Sequence, residues 1–116
     1  MSDTILLKKN GVFFSVPCSE ISYLQADNKY LKVFTLTGAY LIRASISSFE
    51  RSLPPNQFCR IHRSYIVSLN HISNFNYKEI FFGKVKLPIG KLYRKPFKQK
   101  ISDHLKSVRP FKVIGS

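Results

Sequence analysis

The dipeptide Asn10-Gly11, set between two runs of β-branched, aromatic and other apolar residues, is the tightest constraint in the sequence. Both residues tolerate positive φ, which a two-residue hairpin loop of type I′ requires at both positions. Residues 5–9 and 12–16 therefore read as paired antiparallel strands. The pattern recurs along the chain. A second hairpin runs over 21–26, turns at Asp27-Asn28-Lys29 and returns over 30–36. Thr37-Gly38 then turns the chain into 39–43, and residues 74–82 and 85–89 flank a tight Gly83-Lys84 turn. Strands at such short spacing fit antiparallel sheets, because a parallel pair needs a long crossover between its strands.

Two helices are expected among these strands. Residues 45–53 put Ile46, Phe49 and Leu53 on one face, at spacings of three and four. Ser47 and Glu50 have the spacing of a capping box, and Pro54-Pro55 stop the segment. The second helix begins near Pro96, a residue suited to a first helical turn, and carries an apolar stripe of Phe97, Ile101 and Leu105. The expected class is mainly β: small antiparallel sheets and hairpins, one short central helix and a short C-terminal helix.

Charge narrows the function classes. Lysine and arginine total 19 against 6 acidic residues, a formal net charge of +13, and such a field attracts polyanions. The excess is uneven. From Lys84 onward, Lys84, Lys86, Lys91, Arg94, Lys95, Lys98, Lys100, Lys106, Arg109 and Lys112 meet one acid, Asp103. A basic face of this kind is what a nucleic-acid footprint requires. No stretch is long and apolar enough to cross a bilayer, and Met1-Ser2-Asp3-Thr4 lacks the basic-then-apolar start of a secretory signal. A cytoplasmic location and no membrane partner are expected. The basic, amphipathic C-terminal helix is the one feature that suits a membrane surface, but its stripe is narrow.

Catalysis is not expected. His62, His71 and His104 could serve acid–base chemistry, yet there is no paired-carboxylate site, no HExxH and no phosphate-cradling glycine loop. No cofactor or metal is expected either. Cys18 and Cys59 form no CxxC pair, and Cys59 and His62, three apart on a strand, should point to opposite faces. Both cysteines read as buried free thiols.

Three stretches carry a family resemblance. Ile21-Ser22-Tyr23-Leu24-Gln25-Ala26-Asp27-Asn28-Lys29-Tyr30-Leu31-Lys32-Val33 resembles the opening of the LytTR DNA-binding domains, where a strand ends at a small residue before an Asn-x-Tyr turn. Phe58-Cys59-Arg60-Ile61-His62-Arg63-Ser64-Tyr65-Ile66-Val67 is similar to that family's central signature, Phe-x-Arg-x-His-Arg-Ser-Tyr-x-Val. Leu87-Pro88-Ile89-Gly90-Lys91-Leu92-Tyr93 resembles its last motif, a strand ending in a small residue followed by a basic one. The resemblance covers about residues 4–106, leaving 107–116 as a basic C-terminal tail. Gly90 stands where a serine is usual, and Ser68 where an asparagine is usual.

The resemblance implies a transcription regulator, or the output domain of a two-component response regulator, that reads double-stranded DNA through loops entering the major groove. A homodimer on repeated half-sites and a receiver domain outside this chain are compatible with it. Carried onto this sequence, the base-reading candidates are Arg63, Lys91, Lys32 and Asn28, with Arg63 foremost. An arginine fork can donate two parallel bonds to guanine O6 and N7. Asn28 also suits a positive-φ turn position. Phosphate contacts are expected from Lys29, Arg60, Ser64, Gly90, Arg94 and Lys95, and His62 is expected to hold the turn that carries Arg63. The alternative is a small basic β-barrel that binds RNA or single strands, with pairs such as Phe81-Phe82 stacking on bases.

Overall fold

The residues on either side of each turn signal pair as the hydrophobic alternation requires. The computed structural model describes residues 3–108 and 111–115, so Arg109 of the basic tail lies outside the described residues. The strands are β1 (Thr4–Lys9), β2 (Val12–Pro17), β3 (Ile21–Asp27), β4 (Tyr30–Thr35), β5 (Ala39–Arg43), β6 (Phe58–His62), β7 (Tyr65–Ser68), β8 (Asn74–Phe75), β9 (Glu79–Phe82) and β10 (Val85–Pro88). The helices are α1 (Ile46–Glu50) and α2 (Arg94–Val108).

A five-stranded sheet with order β5-β4-β3-β7-β6 forms the centre, and every pairing in it is antiparallel. The hairpin β1–β2 and the three-stranded sheet β10-β9-β8 are separate. Alternate residues of the central strands serve two cores. Leu24, Leu31, Val33, Ile42 and Ile66 pack with Leu7 and Val16 of the hairpin and Ile46 of α1. Tyr23, Cys59, Ile61 and Val67 pack on the other side with Ile80, Leu87, Ile89 and the α2 residues Phe97 and Ile101. Both cores are lined by buried side chains, each worth roughly 1.5–3 kcal/mol over its exposed state. The central sheet is thereby clamped from both sides, and its strand ends are held in fixed positions.

The turns behave as their residues dictate. Asn10 and Gly11 have φ of 53° and 78°, as a type I′ loop requires, and Asn28 has φ of 58° at the β3–β4 turn. Two local expectations are corrected. Residues 74–82 do not form one strand: the Asn76 side chain accepts the amides of Lys78 at 2.7 Å and Glu79 at 2.8 Å, folding an Asx turn between β8 and β9. Ser47 and Glu50 do not make a capping box. Ser45 is the N-cap, its hydroxyl accepting the Ser48 amide at 3.1 Å, because Glu50 is engaged by Arg60 instead.

Candidate nucleic-acid interface

The chain direction of the central strands brings two turns and the end of β5 to one end of the sheet. β3 and β4 meet at Asn28-Lys29, β6 and β7 meet at Arg63-Ser64, and Tyr30 pairs with Arg43, the last residue of β5. The turns are tied together through the backbone. The Ala26 amide donates to the Ser64 carbonyl at 2.8 Å, and the Gly90 amide donates to the Ile61 carbonyl at 2.8 Å. The segment leaving β10 is thus fastened beside the Arg63 turn, and the Ile89 amide bonds the Lys78 carbonyl at 2.8 Å. Backbone bonds of this kind fix spacing between loops without using any side chain that could face a ligand.

The β6–β7 turn is built from inside by Arg60. Its Nε donates to the His62 carbonyl at 2.7 Å, its Nη2 donates to the Arg63 carbonyl at 2.6 Å, and its Nη1 donates to Glu50 Oε1 at 2.8 Å. Nη1 also lies 3.5 Å from the Ser47 hydroxyl. Arg60, expected at a phosphate, has its fork directed into the protein. Arg63 itself stands exposed at the turn.

His62 completes the turn. Its Nδ1 accepts the Ser64 amide at 3.1 Å, which requires an unprotonated Nδ1, and its ring lies 5.3 Å from that of Tyr65. The register shifts between Arg60 and His62, and a Cβ at Gly90 would come 3.6 Å from the His62 ring. Burial pushes the Cys59 thiol up to about 11, so it is a poor thiolate donor, and no group of three metal-ligating side chains gathers among the described residues.

Other expected residues fall as follows. Asn28, Lys29, Lys32, Lys91 and Lys95 are exposed, and Lys32 Nζ stands 5.9 Å over the Phe34 ring. Gly90, with an ordinary negative φ, sits in a tight place: a Cβ there would come 3.1 Å from Tyr93 Cδ2. Arg94 opens α2 half-buried, its Nε enclosed without a hydrogen-bond partner among the described residues. Within α2, Lys100 donates to the Phe58 carbonyl at 2.7 Å and Lys98 stands over Tyr77, so neither is free charge alone.

Three residues at this end were not legible as candidates. Arg43 arrives through the β4–β5 register, Lys78 through the Asx turn, and Leu92 through a single helical turn over Lys91–Tyr93. Only Asn76, two residues before Lys78, carried a local signal, as a turn former.

A family model described as the LytTr DNA-binding domain matches residues 11–102. The CO-responsive transcriptional regulator RcoM of Rhodospirillum rubrum is 41% identical over 64 residues, covering 55% of this chain and 27% of that protein. The transcriptional regulatory protein YpdB of Escherichia coli K12 is 38% identical over 71 residues, covering 61% of this chain and 29% of that protein. The chain thus spans under a third of the length of these relatives. Among solved structures, the LytTr DNA-binding domain of a methyl-accepting/DNA response regulator from Bacillus cereus superposes with a TM-score of 0.71 at 27% identity, covering 84% of this chain and 95% of that one.

Proposed function

This chain belongs to the LytTr DNA-binding domain family, and from that premise we propose that it binds duplex DNA sequence-specifically through the turns at one end of its central sheet, regulating transcription. The observation that carries the reading is the backbone tie between those turns, from Ala26 to Ser64 and from Gly90 to Ile61. Loops held at fixed spacing can enter grooves without first paying the entropy of ordering. Arg63, exposed on a turn whose two carbonyls are gripped by Arg60, is the base reader, donating a fork to guanine in the major groove. Lys91, Lys32 and Asn28 are the accompanying base contacts. Lys29, Ser64, Arg94 and Lys95 hold phosphates, which set register without reading sequence. Gly90, expected at a phosphate, has its one donor, the backbone amide, bonded to the Ile61 carbonyl and so serves the loop and not the phosphate. Arg60 is a positioning residue in this scheme, and His62 locks the turn through the Ser64 amide.

Loops reaching successive major grooves from one side require the duplex to curve toward the protein, at a cost on the order of a few kcal/mol offset by added contacts. No helix of the described residues is long and apolar enough to span a membrane, and a cytoplasmic location belongs to the same proposal. A receiver domain outside this chain, and pairing of two copies on repeated half-sites, belong to the same proposal. Competition of a random duplex pool against single strands and structured RNA tests it, followed by sequencing of the bound fraction. Duplex preference with an enriched motif is expected. Equal or better binding to single strands or RNA would overturn the reading in favour of a single-strand or RNA module, for which the Tyr23–Phe34–Phe82 cluster is the stacking candidate. Those rings pack on one another, however, with Tyr23 buried.

A further inference from the structure

Leu92 is 89% exposed. A single exposed leucine on a protein surface is ordinary, so exposure alone carries nothing. Its setting does. Leu92 sits in the helical turn Lys91–Tyr93 between the exit of β10 and the start of α2, with Lys91 before it and Arg94 and Lys95 shortly after. A cationic frame of this kind attracts a polyanion and repels a second copy of a chain with net charge +13.

The turn is held. The Tyr93 amide donates to the Gly90 carbonyl at 2.8 Å, the Gly90 amide donates to the Ile61 carbonyl at 2.8 Å, and the Tyr93 ring closes against Gly90. Leu92 is therefore carried by backbone fastened beside the Arg63 turn. It has no donor for a phosphate or an acceptor edge. Among base edges in the major groove, the distinctive apolar group is the C5 methyl of thymine.

We infer that Leu92 is a specificity-determining residue that packs on the C5 methyl of one thymine, beside the base or phosphate met by Lys91. This rests on the duplex-DNA reading above. Covering one methyl group corresponds to about fourfold in affinity.

The test uses a duplex selected from a random pool by the wild-type chain, and versions in which each thymine in turn is replaced by deoxyuridine, which lacks only that methyl. Wild type should lose about fourfold at one thymine, next to the position protected by Lys91. Leu92→Ala should bind the parent duplex about as weakly as wild type binds that substituted one, and should lose nothing further there. Its thermal unfolding should match wild type, since the side chain is exposed. If no thymine is sensitive in wild type, or if Leu92→Ala loses as much as wild type at the sensitive one, the inference is wrong while the DNA reading stands. If wild type selects no duplex at all, the DNA reading fails and the inference falls with it.

Discussion

Arg60 and Glu50 form an ion pair, Nη1 to Oε1 at 2.8 Å, that joins the short helix α1 to the strand leading into the Arg63 turn. The two side chains differ in exposure, 14% for Arg60 and 44% for Glu50. The same guanidinium holds the carbonyls of His62 and Arg63. One planar fork thus fixes the backbone of the exposed turn residue Arg63, and the anion that neutralises the fork comes from α1. An arginine suits this place because its donors are fixed in a plane, which a lysine ammonium cannot imitate.

Arg60→Ala should cost about 2–4 kcal/mol in urea unfolding, since it strips two turn carbonyls and one carboxylate of a charged donor, each such bond being worth roughly 1.5–3 kcal/mol before relaxation. Arg60→Lys should recover only part of that. Glu50→Gln, at a half-exposed partner, should cost about 1 kcal/mol or less. An Arg60→Ala protein with the wild-type urea midpoint would show that the fork does not hold the turn.

Arg63→Ala should separate reading from holding. We expect a loss of about 1–3 kcal/mol on the selected duplex, relaxed preference at one base pair, and a smaller loss on random duplex. Since Arg63 is exposed and only its carbonyl is used in the fold, urea unfolding should be unchanged. Equal weakening on both duplexes would make Arg63 a phosphate contact.

Salt should distinguish the lysines of α2. With Lys29, Arg94 and Lys95 as the cations at phosphates, the log–log dependence of affinity on salt should have a slope near −3, at about 0.9 per neutralised phosphate. Lys95→Ala should make that slope shallower by about 1 and leave stability alone. Lys100→Ala should do the reverse, because its ammonium is bonded to the Phe58 carbonyl at 2.7 Å. A flat salt response in wild type would sink the nucleic-acid reading altogether.

Alkaline pH should expose the burial of Cys59. Its thiol is raised from 9.0 to about 11, chiefly by desolvation, with Lys100 pulling it down and Glu50 pushing it up. A raised pKa means that the folded state favours the neutral thiol. Its contribution is complete below pH 9 and fades as pH rises toward 11, by on the order of 2 kcal/mol. Urea midpoints should therefore fall across that window, less steeply in Cys59→Ala. Native Cys59 should also resist iodoacetamide at pH 8 while the unfolded chain reacts. Rapid alkylation of the folded protein would contradict this.

The sequence by itself determined most of the strands, the hairpin turns and the basic C-terminal half, because these follow from local chemistry; the run over 74–82 was the exception, split by the Asx turn at Asn76. Asn10-Gly11 and Asn28 need only their own backbone preferences to turn the chain, and alternation needs only a neighbour two residues away. The central signature likewise marked the family and the turn carrying Arg63. What only tertiary structure decided is which charges are spent inside. Arg60 and Lys100 read as free cations in sequence, yet each is bonded inside the fold: Arg60 to the nearby carbonyls of His62 and Arg63 and to the Glu50 side chain ten residues back, and Lys100 to the Phe58 carbonyl forty-two residues back. The same holds for Arg43, Lys78 and Leu92, whose places are set by strand register, an Asx turn and a helical turn. A charge in a sequence has a sign but no partner. Burial and pairing assign the partner, and with it whether the residue faces DNA or holds the fold.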